Sequence, residues 1–175
     1  MTKLFFGILF ATIVLCFQFR QSYADSNYVL PYPSAMPGSI IYKLNLIQDE
    51  LFRFWYFGDF GQFKYNLSQS DKYLVEAKTL FDYRQYLLAY QALIKSDNYF
   101  KKIKPAILSA DRNGKNVGDK EKFLERAAEK HIEELSKLKR NLPQAFEWRP
   151  EKEQPQTLNL QKAFENSIRV RQEVL

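Results

Sequence analysis

Cysteine and histidine are almost missing from this chain; each occurs once, as Cys16 and His131. Beyond Cys16 no disulfide can form and no thiolate can hold a metal, so packing alone must hold the fold. A single histidine cannot build a two-histidine zinc site. Only 6 glycines and 7 prolines punctuate 175 residues, and several long stretches contain neither. That scarcity disfavours a turn-rich β architecture and favours helices. No glycine loop able to cradle a phosphate and no G-x-S-x-G nucleophile turn occurs. Neither sign of charge dominates: 26 Lys and Arg face 20 Asp and Glu. Setting aside Lys3 and Arg20 leaves 24 against 20, a diffuse +4. Such a balance suits an anionic wall polymer or lipid surface and does not argue for nucleic acid.

What the chain has is an address at its start. Lys3 is followed by an uncharged run over residues 4–17, rich in Leu, Ile, Phe and Val. Residues 18–24 are more polar, and Ser22 and Ala24 place small side chains at −3 and −1 of a cut before Asp25. This order of positive, apolar and small-residue segments is that of a secretory signal. The predicted cleavage pair is Ala24 and Asp25. The competing expectation is an uncleaved anchor over residues 4–19, which Arg20 ends. At 1.5 Å per residue those 16 residues span about 24 Å, short of a ~30 Å hydrocarbon core. Either way the expected location is outside the cytosol: secreted or periplasmic, or held at the cell surface.

Residues 25–39 carry Pro31, Pro33 and Pro37 and should be extended. A helical domain is expected over residues 40–142. Its first helix should cover residues 40–57, with Ile40, Leu44, Ile47, Leu51 and Phe54 on one buried face. A second helix carries Phe60, Phe63, Leu67, Leu74 and Ala77. Asp82 and Gln85 have capping-box spacing for a third, with Tyr86, Tyr90, Leu93, Phe100 and Ile103 inside and Pro105 ending or kinking it. Residues 109–118 read as a polar loop, after which Asp119 caps a helix with Leu124, Ala128, His131, Leu135 and Leu138 inside. Lys122–Glu125, Arg126–Glu129 and Lys130–Glu133 line its solvated side. Pro143, Pro150 and Pro155 mark a linker over residues 143–157, and a short helix over 158–175 closes the chain. The expected class is all-α, an antiparallel bundle of helical hairpins.

The candidate sites are few. Phe52, Phe54, Trp55, Tyr56, Phe57, Phe60, Phe63 and Tyr65 crowd one corner, more aromatics than one helix face can bury. A core corner between two helices is the expectation. The alternative is an exposed patch, centred on Trp55, Tyr56, Phe57 and Phe60, for a glycan, a lipid surface or a protein. Residues 111–119 imitate a calcium loop but fail in register, with Asn116 at position six and Lys122 at position twelve. His131 lies on an apolar stripe and reads as a structural histidine. Glu50, Asp59 and Glu76 are carboxylates of the type glycoside chemistry uses, with nothing to fix their separation. No catalytic residue, metal ligand or cofactor is assigned.

The segment Pro37-Gly38-Ser39-Ile40-Ile41-Tyr42-Lys43-Leu44 resembles a family of bacterial and archaeal exported helical proteins, the domain of unknown function 5667 type. That family carries Pro-Gly-Ser/Asp-x-x-Tyr-x-Leu-Lys after a signal or membrane segment. Pro37, Gly38, Ser39, Tyr42 and Leu44 match; Ile40 stands where the family usually has a proline and Asn45 where it has its lysine. The resemblance extends over residues 30–103 and implies export and helices, with no activity attached. Physically, Pro-Gly-Ser makes a turn and a cap, and Tyr42 and Leu44 should begin the buried side of the first helix. The expected function is a non-catalytic envelope module that binds or scaffolds, its partner an envelope protein, a wall polymer or an anionic lipid surface. A carboxylate-based glycan hydrolase and a membrane-peripheral domain are the alternatives.

Overall fold

The computed structural model describes residues 28–33, 35–152 and 154–175. The expected signal or anchor segment, and the cut expected between Ala24 and Asp25, fall outside the described residues. Within them the fold is all-α: α1 (Ile40–Trp55), α2 (Asp59–Asp82), α3 (Tyr86–Phe100), α4 (Ile103–Arg112), α5 (Gly118–Lys139) and α6 (Leu160–Gln172), with one small antiparallel hairpin, β1 (Ala145–Trp148) and β2 (Gln156–Asn159).

The long helix α2 runs through the middle and buries residues on most of its faces. It packs against α3 and α4, while α6 joins α5 and α3. The predicted stripes of these helices are where the core is. Phe63, Leu67, Leu74 and Ala77 of α2, Leu93 and Phe100 of α3, and Leu124, Ala128 and Leu135 of α5 are buried. One half of the core gathers Leu74, Leu80, Phe81, Leu93, Leu135, Leu160 and Phe164. The other gathers Phe63, Leu67, Phe100, Ile103, Ile107 and Leu124.

Three local expectations need correction. Asp82 is the last residue of α2 and not a cap of α3, whose N-cap is Gln85 without a side-chain bond. The reason is a Schellman turn. Arg84 takes φ 58, and the N–H groups of Arg84 and Gln85 return to Phe81 O and Leu80 O at 2.9 Å each. Pro105 does not close a helix; α3 ends at Phe100, and Pro105 sits in the first turn of α4, where its missing N–H costs no bond. Helix α5 begins at Gly118, with Val117 as its N-cap and Asp119 in its first turn.

Residues 143–157, expected as a linker, hold most of the hairpin. Phe146 pairs with Leu158 and Trp148 with Gln156. Pro143, Pro150 and Pro155 fall outside both strands, so none removes a ladder donor. The hairpin leads straight into α6, which Asn159 caps by accepting from Lys162 N at 2.9 Å. Helix α6 is no appendage, since Leu160, Phe164 and Arg171 are wholly buried.

Candidate functional site

The turn before α1 is built as its sequence dictates. Gly38 takes φ 100, a conformation that side chains with a Cβ avoid. Ser39 then caps α1: its Oγ donates to Met36 O at 3.2 Å and accepts from Tyr42 N at 3.1 Å. Tyr42 is buried and donates its hydroxyl to Glu76 Oε1 at 3.0 Å. Leu44 is not on the buried side.

The expected orientation of α1 is reversed. Ile40, Leu44, Ile47, Leu51 and Phe54 are 79%, 59%, 61%, 65% and 76% exposed. The helix meets the body instead through Tyr42, Asp49 and Tyr56, which recur every seven residues on the opposite side. The contact is largely polar. Asp49 accepts from Lys72 and from Gln69 Nε2 at 3.2 Å, and its carbonyl accepts from the Tyr65 hydroxyl at 3.2 Å. These anchors have fixed partners on α2, whereas no such pairing draws in the apolar stripe. At the far end Gly61 lets the chain fold back. A Cβ there would stand 2.8 Å from the Tyr56 carbonyl carbon. Gln62 Nε2 holds the Tyr56 carbonyl oxygen at 2.6 Å.

The aromatic corner is a core corner only in part: Phe63 and Tyr65 are buried, and the aromatics of the corner that precede them are not. Trp55 and Phe57 stand in solvent beside Phe54, and Phe52 is partly exposed. Tyr56 is half-buried, its ring 5.9 Å from Tyr65. Phe60 turns to a different place, with the ammonium groups of Lys115 and Lys120 over its ring at 5.4 and 5.8 Å. There it lines an open groove of about 970 Å³ with Phe63, Lys64, Lys122, Phe123 and Arg126. The four expected patch residues thus divide between two surfaces. On the first, Phe54, Trp55 and Phe57 alone expose on the order of 500 Å², given 150–250 Å² per aromatic side chain. A typical monomer's largest apolar patch is roughly 300–600 Å² in total.

Glu50, Asp59 and Glu76 make separate contacts. Glu50 meets Arg53 of its own helix at 3.5 Å. Asp59 meets Lys115 at 2.8 Å and Asn113 at 2.9 Å, and these bonds, that from Lys115 first, hold its carboxyl below the usual range. Glu76 is buried beneath α1 with Oε2 unpaired. Burial raises its pKa, against the opposing effects of the Tyr42 hydroxyl, Lys95 and Lys72.

His131 belongs to a network that sequence inspection missed. Its Nε2 lies 2.8 Å from Asp71 Oδ1, and Arg171 Nε donates to its Nδ1 at 3.4 Å. The proton is therefore on Nε2, and burial holds the ring's pKa below the ordinary histidine value. Arg171 also pairs with Asp97, donates to Ser167 O at 3.0 Å and Ser96 Oγ at 2.8 Å, and lies 5.0 Å over the Phe100 ring. Tyr28 closes the far end, donating to Asp71 Oδ2 at 2.5 Å. These residues come from α2, α3, α5, α6 and the leading segment. His131, Arg171 and Ser96 have no exposure, so the network ties helices together. The one sequence signal was periodic: Ser167 and Arg171 continue the Leu160, Phe164 stripe at spacings of three and four.

Among the described residues no three acidic, histidine or cysteine side chains gather as a metal site, and no helix is long and apolar enough to cross a membrane. No family model matches this chain, and neither a curated protein nor a solved structure does.

Proposed function

We propose that this chain is an exported, non-catalytic helical module of the cell envelope, and that it acts by binding through the outward face of α1. One observation carries the reading. An amphipathic helix is clamped to the body by its polar side, and its apolar side faces solvent along its whole length. Folding alone gives no reason for that arrangement, because burying five large apolar side chains would stabilise the domain by about 1.5–3 kcal/mol each. A contact surface gives one.

A second reading, attachment to a lipid surface, draws on a particular feature. Phe54, Trp55 and Phe57 cluster at one end of the helix, as interfacial aromatics do. The test uses the full chain and a Leu51→Glu variant, whose substitution lies on the solvent side. Both are presented to isolated wall polymer, to anionic vesicles and, by cross-linking in cells, to envelope proteins. Binding that Leu51→Glu abolishes supports the reading. If every contact survives Leu51→Glu, α1 is not the binding surface and the reading fails. Intact mass of the native protein decides between a start at Asp25 in the soluble exported fraction and a membrane-held full chain.

A further inference from the structure

The outward residues of α1 fit a heptad pattern over two repeats, flanked by exposed Ile41 and Trp55. Ile40, Leu44, Ile47, Leu51 and Phe54 are separated by four, three, four and three residues. That is the a/d seam of a two-stranded coiled coil, with Leu44 and Leu51 at a and the other three at d. Tyr42, Asp49 and Tyr56 then occupy f, the position farthest from the seam, and these are the residues that fasten the helix to the body. The body thus holds α1 with its seam aimed directly away.

From this geometry, and resting on the binding role assigned to α1, we infer that a second copy of this chain docks there, α1 against α1 in antiparallel orientation about a two-fold axis. Charge fixes the orientation. The g positions beside the seam are Lys43 and Glu50, both exposed. In an antiparallel pair g faces g of the partner. With Leu44 layered on Ile47 of the second helix and Ile40 on Leu51, Lys43 of each copy meets Glu50 of the other, twice by symmetry. Sliding by one heptad, to layer Leu44 on Phe54 and Ile47 on Leu51, would instead set Glu50 against Glu50. A parallel pair would set Lys43 against Gln48 and Glu50 against Trp55, with no ion pair. Glu50 is free to turn, because its contact with Arg53 is exposed and stretched to 3.5 Å.

The area suffices. The five seam side chains with Ile41, Trp55 and Phe57 offer on the order of 1,000 Å² per copy, of which a standard interface would need to bury roughly 800 Å² per partner. Two heptads are too short to pair as free peptides. Here α1 is already folded on its body, so pairing does not carry the entropy of helix formation.

The experiment uses charge exchange in the full chain. Lys43→Glu and Glu50→Lys are made singly, and each variant is sized by light scattering alone and after equimolar mixing. The wild type should be a dimer. Each single variant turns two attractive pairs into two repulsive ones and should dissociate on the order of tenfold more readily. The mixture should recover the wild-type association, since one copy then carries acid at both g positions and its partner carries base at both. A monomeric wild type overturns the pairing, as does a mixture that stays dissociated. So does association indifferent to both variants, as the N-terminal apolar run alone would give. In each case the wider binding reading still stands if Leu51→Glu abolishes an envelope contact, and falls with the pairing if it does not.

Discussion

Arg171→Met should be the most damaging single change in the described core. Arg171 is wholly buried and donates to Asp97, Ser96, Ser167 O and His131 at once. Methionine fills much of the same volume against Phe100 but leaves Asp97 without its cation. Removing one partner of a fully buried pair costs about 3–5 kcal/mol; Asp97 keeps 14% side-chain exposure, so the lower end of that range applies. The loss of donors to Ser96 and the Ser167 carbonyl adds to this. Against a typical stability of about 5–15 kcal/mol, the variant should be near or past half-unfolded in mild denaturant. Urea unfolding followed by far-UV circular dichroism measures the difference. A second variant, Arg171→Met with Asp97→Asn, separates the charge from the shape, and it should recover a substantial part of the loss. If Arg171→Met costs less than about 1 kcal/mol, the network is not a buried ion pair holding α3 to α6, and the reasoning fails.

Four further outcomes follow from particular residues. Gly61→Ala should detach the α1–α2 corner, since its Cβ would meet Tyr56 backbone at 2.8 Å; tryptophan fluorescence and proteolysis within residues 56–61 report it. Gly38→Val should lower the melting temperature, because φ 100 suits valine poorly, and an unchanged value would refute the turn account. Arg84→Gly should raise stability by about 1 kcal/mol by relieving a left-handed backbone at an exposed residue, read in the urea midpoint. Glu76 has a folded pKa above its unfolded value of 4.5, so the folded state binds the extra proton and stability falls as pH rises from there through the folded pKa. Glu76→Gln should flatten that slope in unfolding curves collected from pH 4 upward; a slope identical to wild type would show that Glu76 is not its source.

Periodicity made the main helices legible. Residues 63, 67, 74 and 77, or 124, 128, 131 and 135, lie on one side of a helix whatever surrounds them, and here other helices surround them. The same reasoning placed α1 backwards. A stripe such as Ile40, Leu44, Ile47, Leu51 and Phe54 says where apolar groups gather; it does not say that anything covers them. Asp82 shows a different failure: capping spacing was present, but the αL residue Arg84 ends one helix where the cap would have begun the next. The prolines of residues 143–157 suggested a linker because proline counts register breaks and not the strands between them. The buried network was invisible for a simpler reason. Asp97 and Arg171 are 74 residues apart, and Asp71 and His131 are 60 apart, so no local window holds both members of either pair.

Those separations set the order in which the domain can form. The α2–α3 hairpin can close as soon as residue 100 has emerged, since its partners are near in sequence. The cation that neutralises Asp97 arrives only with residue 171. Until then a chain leaving a ribosome has no α6 to cover Phe81, Leu93 and Leu135. The last helix is thus a latch: only residues 160–172 bring the cation to Asp97 and place Leu160 and Phe164 over those apolar side chains, so a chain cut before residue 160 would lack both.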